Sequence, residues 1–206
     1  MLLKDIAYES IKEKIIEEQY QPGEVLSERT LINDLEMSKT PIKSALTRLE
    51  AEGFVSVTSK QGILIHDLSA EKINDIYNLR IALETFNCNQ IYSRINEHQL
   101  EQLQENIKRT KEAANNLDVK AFANLDHEFH LLVSRMADNQ EITRILLNYQ
   151  DHLRRITLRH LGKEPKRVQK FYEDHLRLFE ALSKHQQESV EIMREHLQES
   201  KSMLYR

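Results

Sequence analysis

Between residues 2 and 19, Leu3, Ile6, Ile11, Ile15 and Ile16 recur at roughly helical spacing, with Lys and Glu between them. That pattern predicts a helix, and Pro22-Gly23 breaks it. Ser27 is placed to cap a second, short helix whose apolar residues are Leu31, Ile32 and Leu35. Glu36-Met37-Ser38 reads as a tight connection. Ser38 is a suitable N-cap for a third helix, and Pro41 falls in its first turn, where a missing N–H costs nothing. Ile42, Ala45, Leu46 and Leu49 share one face of that helix, and Gly53 ends it.

The period then changes. Phe54-Val55-Ser56-Val57-Thr58 alternates apolar and polar, and Ile63-Leu64-Ile65-His66 does so less cleanly. Ser59-Lys60-Gln61-Gly62 between them is a turn sequence, so the stretch predicts a β-hairpin. Three helices and then a hairpin is the order of a winged helix. Asp67-Leu68-Ser69 reads as a link. Beyond it the pattern is helical throughout: about 70–94, 97–115, 118–137, 139–160, 167–185 and 188–204. Asn96, Asp118 and Asn139 are candidate caps, and Gly162 and Pro165 interrupt between the fourth and fifth of these. Heptads over 70–115 are weak, and an antiparallel bundle explains the stripes better. The expected fold class is therefore mainly α. Residues 1–67 form a winged helix-turn-helix, and residues 70–206 form an all-α bundle.

Composition agrees with a helix-rich chain. Charged residues are 30% and hydrophobic ones 40%, with 4 Gly and 3 Pro in 206 residues. No apolar run approaches the ~18 residues a membrane span needs, and the first residues lack a signal-peptide core. The single Cys88 excludes an internal disulfide and fits a reducing, cytoplasmic setting. Charge does not announce a nucleic-acid binder. Residues 1–67 hold 8 Lys and Arg against 12 Asp and Glu. Any DNA site must be a local basic face.

The N-terminal end of the third helix supplies such a face. The second helix of a helix-turn-helix pair enters the major groove by that end, which here offers Ser38, Lys39, Thr40, Lys43 and Ser44. Lys39 and Lys43 are one turn apart and project together. Arg29, at the start of the preceding helix, is placed to hold a phosphate. Lys60 and Gly62, at the wing tip, can approach the DNA backbone or minor groove. Taken singly, each lysine reads equally as part of a solvated helix face.

At this point a resemblance emerges. Leu26-Ser27-Glu28-Arg29, Met37-Ser38-Lys39-Thr40-Pro41-Ile42-Lys43-Ser44-Ala45-Leu46 and Glu52-Gly53-Phe54-Val55, with Gly62, resemble the DNA-binding domain of GntR-family regulators. The arginines usual in that family fall at Arg29, Lys39 and Lys43. Lysine keeps the charge and loses the bidentate fork for guanine.

In the second half, Asp126-His127-Glu128-Phe129-His130 is the informative string. On a helix Asp126 and His130 share a face, while His127 points elsewhere. His175 and His196 each sit in an apolar stripe, where an imidazole must find a partner; a core histidine bonded to a neighbour satisfies that equally. Residues from about 70 to 205, including Leu79-Arg80-Ile81-Ala82-Leu83-Glu84, resemble the all-helical FCD ligand-binding domain of FadR-type GntR regulators. The resemblance implies a metal held by Asp126, His130, His175 and His196. One carboxylate with three imidazoles suits zinc, nickel or another divalent transition metal better than calcium or magnesium. It also implies a small-molecule effector, a carboxylate in chemistry, with Arg80 available to bind it; pairing of Arg80 with Glu84 is the alternative, and the two are compatible. Arg154, Arg155 and Arg159 read mostly as a solvated face.

The expectation is a dimeric, ligand-responsive DNA-binding regulator, a repressor first, and not an enzyme. Two alternatives stand beside it. One is a DNA-binding dimer whose helical domain serves assembly only. The other is a helical metal-dependent hydrolase of the HD type, which needs an adjacent His-Asp pair within the bundle. His66-Asp67 lies at the link, and Asp126-His127 has the reversed order.

Overall fold

The computed structural model describes residues 2–58 and 61–202. The chain divides into two compact units, Met1–Leu68 and Ser69–Arg206.

The first unit runs α1 (Leu3–Ile16), β1 (Val25–Leu26), α2 (Glu28–Leu35), α3 (Lys39–Ala51), β2 (Val55–Thr58) and β3 (Gly62–Ile65). Helix α1 packs on α3, and Ile11, Ile15 and Ile16 are buried on one helix, Ile42, Leu46 and Leu49 on the other. Burying each such side chain contributes roughly 1.5–3 kcal/mol. Helix α1 ends three residues before the span its pattern predicts. Glu18 adopts a left-handed φ of 55°, and the chain turns to bury Tyr20, whose hydroxyl donates to Asp34 Oδ2 at 2.9 Å. Ser27 caps α2 by accepting from the Thr30 N–H. Strand β3 is central, in the order β1-β3-β2. Val25 and Leu26 pair antiparallel with Leu64 and Ile63. Two residues are too few for alternation to reveal, so the pattern did not predict β1. Its presence explains Gly62. That residue has φ 99°, and a Cβ there would lie 2.6 Å from the Leu26 carbonyl oxygen. Lys60 lies outside the described residues.

The second unit is α4 (Ala70–Ile91), α5 (Glu97–Asn115), α6 (Val119–Met136), α7 (Gln140–Lys163), α8 (Arg167–Ser183) and α9 (Glu188–Ser202). The caps read from the sequence form. Asn96 and Gln99 make a reciprocal capping box, and the Asp118 and Asn139 side chains each accept from a first-turn N–H. Helix α7 runs past Gly162 and stops before Pro165, whose ring disfavours helical backbone at Glu164. Helix α4 packs on α9 and α6, α5 on α6 and α8, and α8 on α9. Phe122, Phe129, Leu178, Leu182, Met193 and Leu197 lie at the centre of the core. Arg155 is 2% exposed, so the run of arginines on α7 is not a uniform solvated face.

Candidate DNA interface and candidate metal centre

Helix α3 divides cleanly. Pro41, Ile42, Ala45, Leu46 and Leu49 are buried, while Lys39, Thr40, Lys43 and Ser44 are exposed side by side. Ser38 has extended backbone at the N-cap position (φ −70°, ψ 165°), but its hydroxyl makes no capping bond and stays at the surface. Arg29 is exposed in the first turn of α2. Lys39 has a partner that the sequence reading missed: its Nζ lies 2.7 Å from Glu28 Oε2. The hydrogen bond from Lys39 holds the Glu28 carboxyl below its usual range. Other basic groups of this unit are engaged away from that face. Arg48 pairs with Glu52 at 3.1 Å and lies 3.5 Å over the Tyr8 ring. Lys12 pairs with Glu9. Gly62 is required by the close approach of β1, whatever else meets the wing.

In the second unit the structure brings Asp126, His130, His175 and His196 together. They come from α6, α8 and α9, all are buried, and one potential ligand atom from each lies within 4.8 Å of the others. His175 Nε2 is 3.3 Å from His196 Nε2 and 3.5 Å from Asp126 Oδ1. Phe129, one residue before His130, stacks on the His175 ring at 4.4 Å between centroids and fixes its plane.

The partners of these rings decide their protonation. His130 Nδ1 lies 2.5 Å from Glu84 Oε2, and Glu84 Oε1 accepts from Arg80 Nε at 2.6 Å. Burial alone would raise the Glu84 carboxyl, but the Arg80 guanidinium holds it well below the usual carboxylate range. Glu84 is thus an anion that accepts from Arg80 and faces His130, and a proton on His130 Nδ1 is what lets the ring sit against it. That leaves His130 Nε2 with a lone pair and no hydrogen-bond donor among the described residues. His196 Nδ1 faces Asp174 Oδ2 at 3.5 Å, so its Nε2 also turns a lone pair inward. Burial holds the His130 and His175 imidazoles below their ordinary value, hence neutral. Asp126, faced first by His175 among the imidazoles around it, stays below its usual carboxylate range despite burial and is ionised. A buried carboxylate and two inward lone pairs, with only His175 Nε2 beside them able to carry a proton, form an acceptor-rich cluster of the kind a cation satisfies. The His175–His196 separation of 3.3 Å matches the edge of a tetrahedral shell with bonds of about 2.0–2.2 Å, while the widest separation, up to 4.8 Å, exceeds such an edge and must close by side-chain rotation to share one ion. The residues present therefore fit a transition metal.

The Arg80–Glu84 pair read from the sequence forms, but the contact of Glu84 with His130 and the whole of Asp174 were missed. Glu84 and Asp174 are anions facing the outer ring nitrogens of His130 and His196, an arrangement that orients imidazoles where they bind a metal. Glu84 had a signal, because it stands four residues after Arg80; Asp174 had none beyond preceding His175. Arg80 is 4% exposed and lines a cleft with Thr157, His160 and Ser200 beside Asp126 and His196. His160, Thr157 and Ser200 enter it although nothing in their local sequence marked them.

Two domain families match the chain. The description "Bacterial regulatory proteins, gntR family" matches residues 3–65, and the FCD domain matches residues 75–199. The chain is 26% identical over 196 residues to the HTH-type transcriptional repressor RspR of Escherichia coli (strain K12), covering 93% of this chain and 84% of that protein. It is 26% identical over 175 residues to the gluconate operon transcriptional repressor of Bacillus subtilis (strain 168), covering 85% and 70%. Among solved structures, that of E. coli McbR/YncC superposes with a TM-score of 0.80 at 21% identity, covering 100% of this chain and 98% of that one, a likeness of fold. No described helix is long and apolar enough to cross a membrane. Relatives of this kind regulate transcription and are not enzymes, and with an FCD domain behind a GntR head this chain belongs to the GntR family of DNA-binding transcription regulators.

Proposed function

We propose that the chain is a homodimeric repressor whose operator binding is modulated by a small carboxylate bound beside a divalent transition metal, zinc first, in the helical unit. The observation that carries this reading is the buried acceptor cluster opening onto a cleft lined by Arg80. Asp126, His130, His175 and His196 would hold the metal, with Glu84 and Asp174 orienting two of the imidazoles. When bound, the metal supplies positive charge and an open position for an oxygen donor. Arg80 is fixed through Nε by Glu84, and its terminal nitrogens belong to the part of the guanidinium that can fork onto a carboxylate. Thr157, His160 and Ser200 supply polar contacts at the rim. In the head, Arg29, Lys39, Thr40, Lys43 and Ser44 meet the DNA, with Ser38 and the Gly62 wing beside them. A relative that represses a gluconate operon is consistent with an effector of carboxylate chemistry.

Dimerisation is supported by an apolar stripe on α4. Ala82 and Phe86 are exposed and Leu79 and Leu83 half-buried, at helical spacing. A second copy covering it would pair two heads for two half-sites.

The test is metal analysis of the purified protein beside His130→Ala and His175→Ala, with a gel shift on the chain's own upstream region. Near-stoichiometric metal in the wild type, lost in both variants, is expected. Equal metal content in all three overturns the metal site, and failure to shift the upstream DNA overturns autoregulated binding.

A further inference from the structure

Lys39 is the first residue of α3, at the helix end that a helix-turn-helix directs at the bases. It does not wait there unpartnered. Glu28, the first residue of α2, holds its ammonium at 2.7 Å. The two side chains remain 58% and 34% exposed. Exposed pairs of this kind add only about 0–1 kcal/mol to stability, so this pair is not what holds the head together. Its consequence is electrostatic, on the one face where charge meets DNA. Lys43, a turn further on, also bears on the Glu28 carboxylate. Residues 1–67 carry more acids than bases, so attraction to phosphate rests on a few cations, and Glu28 cancels one of them. A carboxylate among phosphates is repelled. Being an acceptor only, it tolerates just the amino groups of cytosine or adenine at base edges.

We propose that Glu28 is a specificity-determining residue of the DNA-reading face: it holds Lys39 in the free head and penalises contact wherever phosphate, not a base amino group, meets it, so that non-operator DNA is bound weakly. This rests on α3 being the DNA-reading helix, and the experiment separates the two.

Full-length wild type, Glu28→Gln, Lys39→Ala and the double variant are titrated by fluorescence anisotropy between 50 and 200 mM salt. Two duplexes of equal length are used, one of random sequence and one from the chain's own upstream region. Each freed phosphate-binding cation steepens the log–log salt slope by about 0.9, which is roughly a threefold change in affinity across that range. Glu28→Gln is expected to tighten the random duplex about three- to tenfold at the lowest salt, with a slope steeper by about 0.9. It tightens the upstream duplex less, so the ratio of the two affinities falls. In the Lys39→Ala background most of that gain disappears. The proposal is overturned if Glu28→Gln leaves random-duplex affinity and slope unchanged, weakens both duplexes alike, or keeps its full gain without Lys39. If Lys39→Ala alone changes neither duplex, α3 is not the reading helix, and the role of Glu28 falls with it. Thermal melts of the exposed variants, expected to match the wild type, exclude a folding defect.

Discussion

The two units use polar residues in opposite ways. Every buried polar or charged side chain among the described residues lies in the helical unit, from Arg80 to Ser200. The head buries apolar residues and two tyrosines, Tyr8 and Tyr20, whose hydroxyls reach Glu52 and Asp34, and keeps Arg29, Lys39, Thr40, Lys43 and Ser44 on its surface. The difference follows from the size and wetness of the ligand each unit meets. A DNA duplex is large and hydrated, and a convex, solvated face reaches it at little desolvation cost. A metal ion or small carboxylate must be surrounded, so its ligands sit inside, where low dielectric strengthens each interaction and makes each unpaired group costly. Substitutions should therefore cost stability in the bundle and binding alone in the head.

The sharpest break of that contrast is at Glu84. Its removal leaves the Arg80 guanidinium buried without its counter-ion. Glu84→Ala is expected to destabilise the helical unit by about 3–5 kcal/mol, read as a lower urea midpoint at unchanged m-value. Glu84→Gln, which keeps an acceptor, should lose less. A midpoint within error of the wild type for both would mean that the buried pair contributes nothing.

pH provides the next effect. Burial pushes the His127 imidazole down to about 4, and His130 and His175 move in the same direction. The unfolded chain binds these protons near pH 6.5 and the folded one does not. Stability is thus complete above about 6.5 and is lost as pH falls from there towards 4. The gap at His127 alone corresponds to about 3 kcal/mol. Melting temperature of the metal-stripped protein should decline steeply over that window, and added zinc should oppose the decline at its upper end. A flat profile between pH 6.5 and 5 would contradict the neutral, buried state of these rings.

The smallest effect belongs to the head. Lys43→Ala should leave the melting temperature unchanged, weaken binding to all sequences, and reduce the salt slope by about one unit. Unchanged binding and slope would show that this face does not touch phosphate.

Much of this was legible beforehand where the cause is local. Period, caps and breakers placed the helices because Ser27, Asn96, Asp118 and Asn139 each satisfy an N–H three residues ahead, and Pro165 blocks helix at the residue before it. The grouping of Asp126, His130, His175 and His196 was legible mainly through a resemblance, since their spacing in the chain says nothing of α8 and α9 meeting α6. Strand β1 was invisible because its pairing partner lies nearly forty residues away. It then supplied the reason for Gly62, which the sequence offered only as a wing tip.

What the sequence determined alone is therefore the order of elements and the exposed cations of α3, because helix periodicity and capping act within a few residues. Tertiary structure decided which charges find each other: Lys39 with Glu28, Glu84 between Arg80 and His130, Asp174 behind His196. Apart from Arg80 with Glu84, which stand one turn apart on α4, these pairings span separate helices, and electrostatics and desolvation act through space, so no local pattern could announce them.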